Sequence, residues 1–240
     1  GYEKFGTDFW KKVTQEAAAY RGLFYPFQSA IKKYTGVDYE TFRNEAFDYY
    51  KNSIEKAPLS DNQFVFPLQK QYVTSYYFPY SVGNGLLIYM ITSMRQRPAF
   101  YIKDANGEHR IRIRDISLDQ QFSYRNGKIV YAAYETDARW GWVDYGVIKL
   151  LDIHTGEQQT ITHKTKYFTP DISADGTKIA AVQNNSDGKS ELHILDAANG
   201  QLIKAITSTE ISLFTDPKFI DDNSLVTAVR LKDGKMALAL

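Results

Sequence analysis

A short turn signal, asparagine or aspartate at or beside glycine, recurs through most of the chain at near-constant spacing. It limits the possible fold more than any composition figure does. Measured at Gly85, Gly127, Gly176 and Asn223, the turns Asn84-Gly85, Asn126-Gly127, Asp175-Gly176 and Asp222-Asn223 lie 42, 49 and 47 residues apart. Each stands between stretches in which apolar and polar residues alternate, the pattern of two antiparallel strands joined by a tight hairpin that needs positive φ. A further turn follows each of the first three, at Asp104 to Gly107, Asp152 to Gly156 and Asp196 to Gly200. The clearest copy is "FTPDISADGTKIAAVQNNSDGKSELHILDAANGQLIKAI", which reads as four short strands. The last, "FTDPKFIDDNSLVTAVRLKDGKMALAL", is shorter and ends soon after Asp233-Gly234.

Four short antiparallel strands cannot cover both faces of their own sheet, so such repeats must bury those faces against one another. Arranged around an axis they are blades of a β-propeller. The expected fold is therefore mainly β with a helical N-terminal segment: a partial propeller of three to four four-stranded blades over residues 58–240, preceded by a three-helix piece over residues 1–57. "DGTKIAAV" and "SELHILDAANGQL" resemble the blades of TolB-like, WD-repeat-like propellers, and the likeness covers roughly residues 70 to 240. It departs from the pattern in the first copy, where Asn84 stands in place of an aspartate. The resemblance implies a propeller that presents a binding surface in a periplasmic, outer-surface or secreted protein, and it names no ligand. Propellers have roughly four to eight blades. The reading therefore expects either further sequence beyond Leu240 or self-association through open blade edges, since an unpaired apolar edge invites pairing.

Before Pro58 the period is helical. Thr7 or Asp8 caps a helix through "FWKKVTQEAAAYR", with Phe9, Trp10, Val13, Ala17 and Tyr20 as its apolar positions and Gly22 as its stop. Pro26 opens a second helix that closes at Gly36, and Asp38 caps a third in which Phe42, Ala46, Tyr49 and Tyr50 form a stripe. The segment "GTDFWKKV...YPFQSAIKKYTGVDYETFRNEAFDYY" resembles the closing helices of gluzincin zinc-metallopeptidase domains. The resemblance implies a zinc-binding part upstream of Gly1, so zinc belongs to that upstream domain. No family ligand carries over to a residue of this sequence. No cofactor is expected within these 240 residues.

The remaining chemistry is mostly excluded. Twenty-nine basic against 28 acidic residues give a net charge of +1 with no basic run, so nucleic acid is not an expected partner. No apolar stretch approaches the roughly 20 residues of a spanning helix, and no signal-peptide pattern is visible. The absence of cysteine removes disulfides, thiolate catalysis and Cys-based zinc sites. His109, His154, His163 and His193 never take the His-x-x-x-His spacing of a metal helix, and His193 in "SELHILD" reads as a packed or rim histidine. Ser81 in "PYSVG" lacks the first glycine of a nucleophile elbow, and "SDGKS" lacks the earlier glycine of a phosphate loop, position 183 being glutamine. The Asp/Gly pairs are accounted for as hairpin turns rather than calcium ligands. No catalytic or metal-ligating residue is assigned.

One stretch breaks the repeat. Where the third copy has "QNNSDGKS" between its second and third strands, the second has "YETDARWGWVDYG", which is longer and more aromatic. Loops on a rigid scaffold concentrate binding groups, and Trp140, Trp142 and Tyr145, with Arg139, Asp137 and Asp144, are suited to stacking on a sugar or peptide. The competing reading is packing, with the large rings covering the next blade or the helical segment. Arg95 and Arg97 in "SMRQRPAF" occupy the equivalent hairpin of the first copy. The functional expectation is a non-catalytic binding or scaffold segment of a larger exported protein, with a peptide, protein or glycan as partner. The alternative is the accessory C-terminal part of a zinc metallopeptidase whose catalytic site lies upstream. A glycan-processing enzyme with carboxylates at the propeller centre is a third class, but no pair of acids stands out for it.

Overall fold

The structure, a computed structural model, describes residues 1–54, 65–66 and 71–240. It divides into two compact units, Gly1–Pro67 and Leu68–Leu240. The boundary expected at Ala57-Pro58 lies outside the described residues.

The larger unit is a series of four antiparallel sheets, each built from strands consecutive in sequence. The first holds β1 (Thr74–Gly83), β2 (Leu86–Ser93), β3 (Gln96–Asp104) and β4 (Gly107–Ile113). The second holds β5 (Ser123–Arg125), β6 (Lys128–Thr136), β7 (Asp144–Asp152) and β8 (Gln158–Thr160). The third holds β9 (Tyr167–Ile172), β10 (Lys178–Asn184), β11 (Ser190–Asp196) and β12 (Leu202–Ile206). The fourth has three strands, β13 (Ile211–Phe219), β14 (Leu225–Leu231) and β15 (Met236–Ala239). This is a mainly β chain of propeller blades with helices before it. All four recurrent turns join the first and second strands of their sheets. At Asn84-Gly85 and Asn126-Gly127 both central residues have positive φ, between 47° and 76°, as a type I′ hairpin requires. Asp233-Gly234 lies in the second hairpin of its sheet, between β14 and β15.

Side-chain alternation carries the stacking. In β6, Ile129, Tyr131 and Ala133 face the first sheet and meet Ile88, Met90 and Phe100. Val130, on the opposite face, meets Ile172, Ile179, Ala181 and Leu195 of the third. The arrangement repeats one blade on, where Ile179 and Ala181 look back and Ala180 and Val182 look forward to Phe214, Phe219 and Val229. A strand covered on both faces has no solvent side. That is why "IVYAA" and "IAAV" are unbroken apolar runs.

The first strands β5, β9 and β13 touch their neighbours in adjacent sheets and so line the inner edge. Polar bonds join successive blades there. Tyr80 Oη donates to the Phe122 carbonyl at 3.0 Å, and Ile172 N to Ser123 Oγ at 3.3 Å. Buried Asp171 accepts from Phe219 N at 2.8 Å and from Lys218 Nζ at 2.9 Å. The recurrent turns are themselves linked: Asn126 Nδ2 donates to the Asp175 carbonyl at 3.4 Å, and Asp175 N to Asp222 Oδ1 at 2.9 Å.

Among its described residues the helical unit has four helices rather than three: α1 (Tyr2–Phe5), α2 (Phe9–Ala18), α3 (Pro26–Thr35) and α4 (Tyr39–Ser53). Asp38 caps α4 by accepting from Thr41 N at 2.9 Å, and Gly36 ends α3 at φ 80°. The core is Phe9, Val13, Ala30, Ile31 and Phe42. Trp10 stays exposed because one residue along a helix turns the side chain about 100° away from Phe9. The α4 stripe buries Phe42 alone, with Tyr49 and Tyr50 exposed and stacked edge-on against each other. Tyr20 lies beyond the last turn of α2, which stops before the expected Gly22.

Asp171→Ala removes the acceptor for a buried backbone N–H. It should cost about 1–3 kcal/mol, read as a lower denaturant midpoint, with Asp171→Asn recovering part of the loss. An unchanged midpoint would show that this tie does not hold the third and fourth blades together.

Candidate functional site

In antiparallel blades of sequential strands, the first and third hairpins open at one end and the second hairpin at the other, together with the inter-blade connections. The aromatic insertion is the second hairpin of its blade, between β6 and β7. Its backbone is braced from within. Asp137 accepts from Arg139 N at 2.8 Å, Trp140 N at 3.0 Å and Tyr145 Oη at 3.1 Å. Asp137 N donates to the Val143 carbonyl and Val143 N to the Trp140 carbonyl, both at 2.8 Å. Thr136 Oγ1 donates to Asp144 Oδ1 at 2.7 Å, and Lys166 Nζ donates to the Asp144 carbonyl.

At the base of the hairpin the chain passes against the next blade. Gly146 N donates to the Thr165 carbonyl at 2.9 Å, and Thr165 Oγ1 returns a bond to the Gly146 carbonyl at 2.7 Å. A Cβ on residue 146 would sit 2.6 Å from the Tyr167 carbonyl oxygen, so only glycine fits.

The indoles take no part in this bracing. Trp142 is fully exposed and Trp140 is 62% exposed, with the Arg139 guanidinium 5.4 Å above the Trp140 ring. Neither ring is buried beneath a neighbour. Tyr145 is half-buried against the core shared by the first two blades, and its hydroxyl is committed to Asp137. Asp144 is likewise committed, to Thr136. Of the expected contact residues, Trp140, Trp142 and Arg139 thus stand free at the tip, whereas Tyr145 and Asp144 support it. Arg95 stacks over the Tyr72 ring at 4.4 Å, and Arg97 lines a separate cleft. Among the described residues no hydrogen bond, ion pair or ring contact joins either arginine to the aromatic hairpin.

Electrostatics follow the bracing. The Arg139 and Trp140 backbone N–H groups hold the Asp137 carboxyl below its ordinary range, and the hydrogen bond to Asp137 pushes the Tyr145 phenol up.

One polar group, and the partners of another already read as packed or at the rim, were not visible in the sequence. Arg114 is buried in the connection between β4 and β5 and pairs with Asp119 at 3.0 Å. Its partner lies only five residues on, yet "RDISLD" carries no signal that distinguishes it from an ordinary polar loop. The second is a buried chain in the third blade, where His193 Nδ1 lies 2.8 Å from Tyr167 Oη and Nε2 lies 2.9 Å from Glu191 Oε2. Burial first, and the Glu191 charge second, push the Tyr167 phenol up to about 12. Both histidine nitrogens are occupied, as in a packed residue. Among the described residues no helix is long and apolar enough to cross a membrane.

No family model and no curated protein matches the sequence. Solved structures do. The putative TolB of Agrobacterium tumefaciens is 13% identical, over 64% of this chain and 60% of its own, with a TM-score of 0.42. The β-propeller domain of the trilobed protease from Pyrococcus furiosus is 15% identical, over 70% of this chain and 57% of its own, at 0.43. The acylaminoacyl peptidase of Pyrococcus horikoshii is 15% identical, over 70% of this chain and 32% of its own, at 0.45. The chain thus spans less than two thirds of each of these proteins.

A carboxylate with a depressed folded-state pKa stabilises above its unfolded value, about 4, and that contribution is lost as pH falls through the folded value. Acidification below about pH 4 should therefore loosen the 137–145 hairpin, read as a lower amide protection factor, relative to the intrinsic rate at each pH, at Arg139 and Trp140. Asp137→Ala should show the lower protection at neutral pH and no acid step. Its melting temperature should be nearly unchanged, because the tip is exposed. Equal protection in both proteins at all pH values would remove Asp137 from this role.

Proposed function

We propose that this chain is a non-catalytic recognition segment of an exported protein, in which propeller blades hold a braced aromatic hairpin against a peptide, protein or glycan. The observation that carries the reading is Trp142, fully exposed at the tip of a hairpin closed by its own backbone bonds and by Asp137. An indole burying roughly 150–250 Å² on contact gains apolar area without first disturbing the fold. A backbone already fixed by Asp137 keeps the ordering cost of binding low. Arg139, stacked over Trp140, adds donors suited to the carbonyl or hydroxyl oxygens that line peptides and sugars. The exported setting follows from the resemblance of "SELHILDAANGQL" to TolB-like blades.

The Trp140→Ala and Trp142→Ala exchanges test this against panels of peptides and oligosaccharides. Each should weaken binding about 5- to 100-fold, the range of an aromatic contact worth about 1–3 kcal/mol, and leave the melting temperature within a degree or two of the parent, about the effect of a neutral surface change. A fall in melting temperature with binding unaffected would return the indoles to a packing role. Hydrolysis of a bound peptide or glycan by the chain alone would overturn the non-catalytic assignment.

A further inference from the structure

A second site lies between the first two blades and is carried by different residues. The connection at 114–122 borders a cleft of about 270 Å³ beside the second hairpin of the first blade, with Met90 and Pro98 among its lining residues. Ile116 and Leu118, also on its wall, are 69% and 74% exposed. The connection is fixed to the second blade, Tyr134 N donating to the Ile116 carbonyl at 2.7 Å and Gln158 Nε2 to Asp115 Oδ2 at 3.0 Å.

The charged residues lining this cleft are two arginines and two aspartates, and among the described residues only Arg97 of the four lacks a partner. Asp119 is matched by Arg114 at 3.0 Å and also accepts from Ser117 Oγ and Thr169 N. Asp115 faces Lys149 Nζ at 4.0 Å. Arg97 is left exposed, and among the described residues it has no hydrogen bond or ion pair. Arg114 is 4% exposed; its two terminal nitrogens bond the Asp119 and Gln121 carbonyls and the Asp119 carboxylate, but its buried Nε has no partner. The cleft thus carries one exposed, unpartnered guanidinium beside an apolar wall. A carboxylate oxygen is the acceptor that best satisfies an exposed guanidinium without a partner.

We propose that this cleft binds a single carboxylate borne on a small apolar group, the chemistry shared by the C-terminal residue of a peptide and a free acyl amino acid. Its volume is near the lower end of ligand pockets, which run from roughly 300 Å³ upward, and suits one residue rather than a chain. Arg97 supplies the charge at the mouth, and Ile116, Leu118 and Met90 take the apolar part. The site stands apart from the tryptophan hairpin, so either can exist without the other.

The test is an NMR titration of the whole 240-residue chain with N-acetyl-leucine, its amide, and a pentapeptide ending in leucine as free acid and as amide. Saturable shifts at the 114–119 amides are expected with the acids, and binding at least about tenfold weaker with the amides, the loss of one charge-assisted hydrogen bond. Arg97→Gln, an exposed change that leaves the fold intact, should weaken the acids by about the same factor, with Arg97→Lys intermediate. Tighter binding of the pentapeptide acid assigns the site to peptide C-termini, and equal binding assigns it to free acyl amino acids. Indifference to acid against amide, absence of saturable binding at millimolar concentration, or an unaffected Arg97→Gln variant would each overturn the proposal. Trp140→Ala should leave carboxylate binding intact, so failure at one site is distinguishable from failure at the other.

Discussion

A sheet that is apolar on both faces needs a neighbour on each side, and the β unit is organised by that requirement. β6 and β10 place alternate residues into two different cores, so neither sheet is a stable object alone. Dispersion and burial supply attraction without direction, and such faces would tolerate sliding. The polar ties fix the register: Ser123 to Ile172, Asp171 to Phe219, and Gln121 Nε2 to Asp216 Oδ1 at 2.7 Å, which reaches from the second blade to the fourth. Each is buried or half-buried and has one geometry that satisfies it, whereas apolar contact alone has many.

The inner edge also carries backbone strain in a repeating place. Phe78, Thr169 and Asp216 have positive φ within β1, β9 and β13, each near a break in pairing register. For a β-branched residue such as Thr169 this conformation is costly, of order 1–3 kcal/mol, and it persists because surrounding bonds hold it, Thr169 N to Asp119 among them. Bulges increase local twist, which is what strands converging on an axis need.

The turns at Asn84-Gly85, Asn126-Gly127 and Gly176 were legible in the sequence because positive φ narrows the choice of residue to asparagine and glycine. At Asp222-Asn223, where neither residue has positive φ, the turn is held instead by Asp221 accepting from Asn223 N and Ser224 N, and the blade order followed from the spacing of all four. The stop at Gly36 was legible because it too has positive φ, and the cap at Asp38 because a short carboxylate before a helix accepts from a first-turn N–H. What was hidden depends on partners far away in sequence. Nothing in "TPDISADG" marks Asp171 as the anchor for a strand 48 residues on. In the aromatic hairpin the residue types pointed to contact, but the division between free and committed groups did not, because Tyr145 and Asp144 look as available as Trp142 until their partners are seen. The helical stripe misled for a related reason: amphipathic spacing says which face is apolar, not how much core exists to receive it, and here Phe42 exhausted it.

The two ends of the blades have accordingly diverged. The first hairpins are tied to one another, Asn126 to Asp175 and Asp175 to Asp222, so their length and residue type are constrained by the next blade as well as by their own turn. The second hairpins carry no such ladder. They range from the tight Ser93–Gln96 turn through 185–189 to the longer 137–143 segment, whose tip closes on its own bonds while its base is held by Thr165 and Lys166 of the following connection. Variation is cheap where a loop's ends are already held at strand spacing. Exposed tryptophan, unpaired Arg97 and the cleft under residues 114–120 all occur at this end, opposite the tied turns. The separation lets the end that carries these groups change in sequence without disturbing the contacts that set blade to blade.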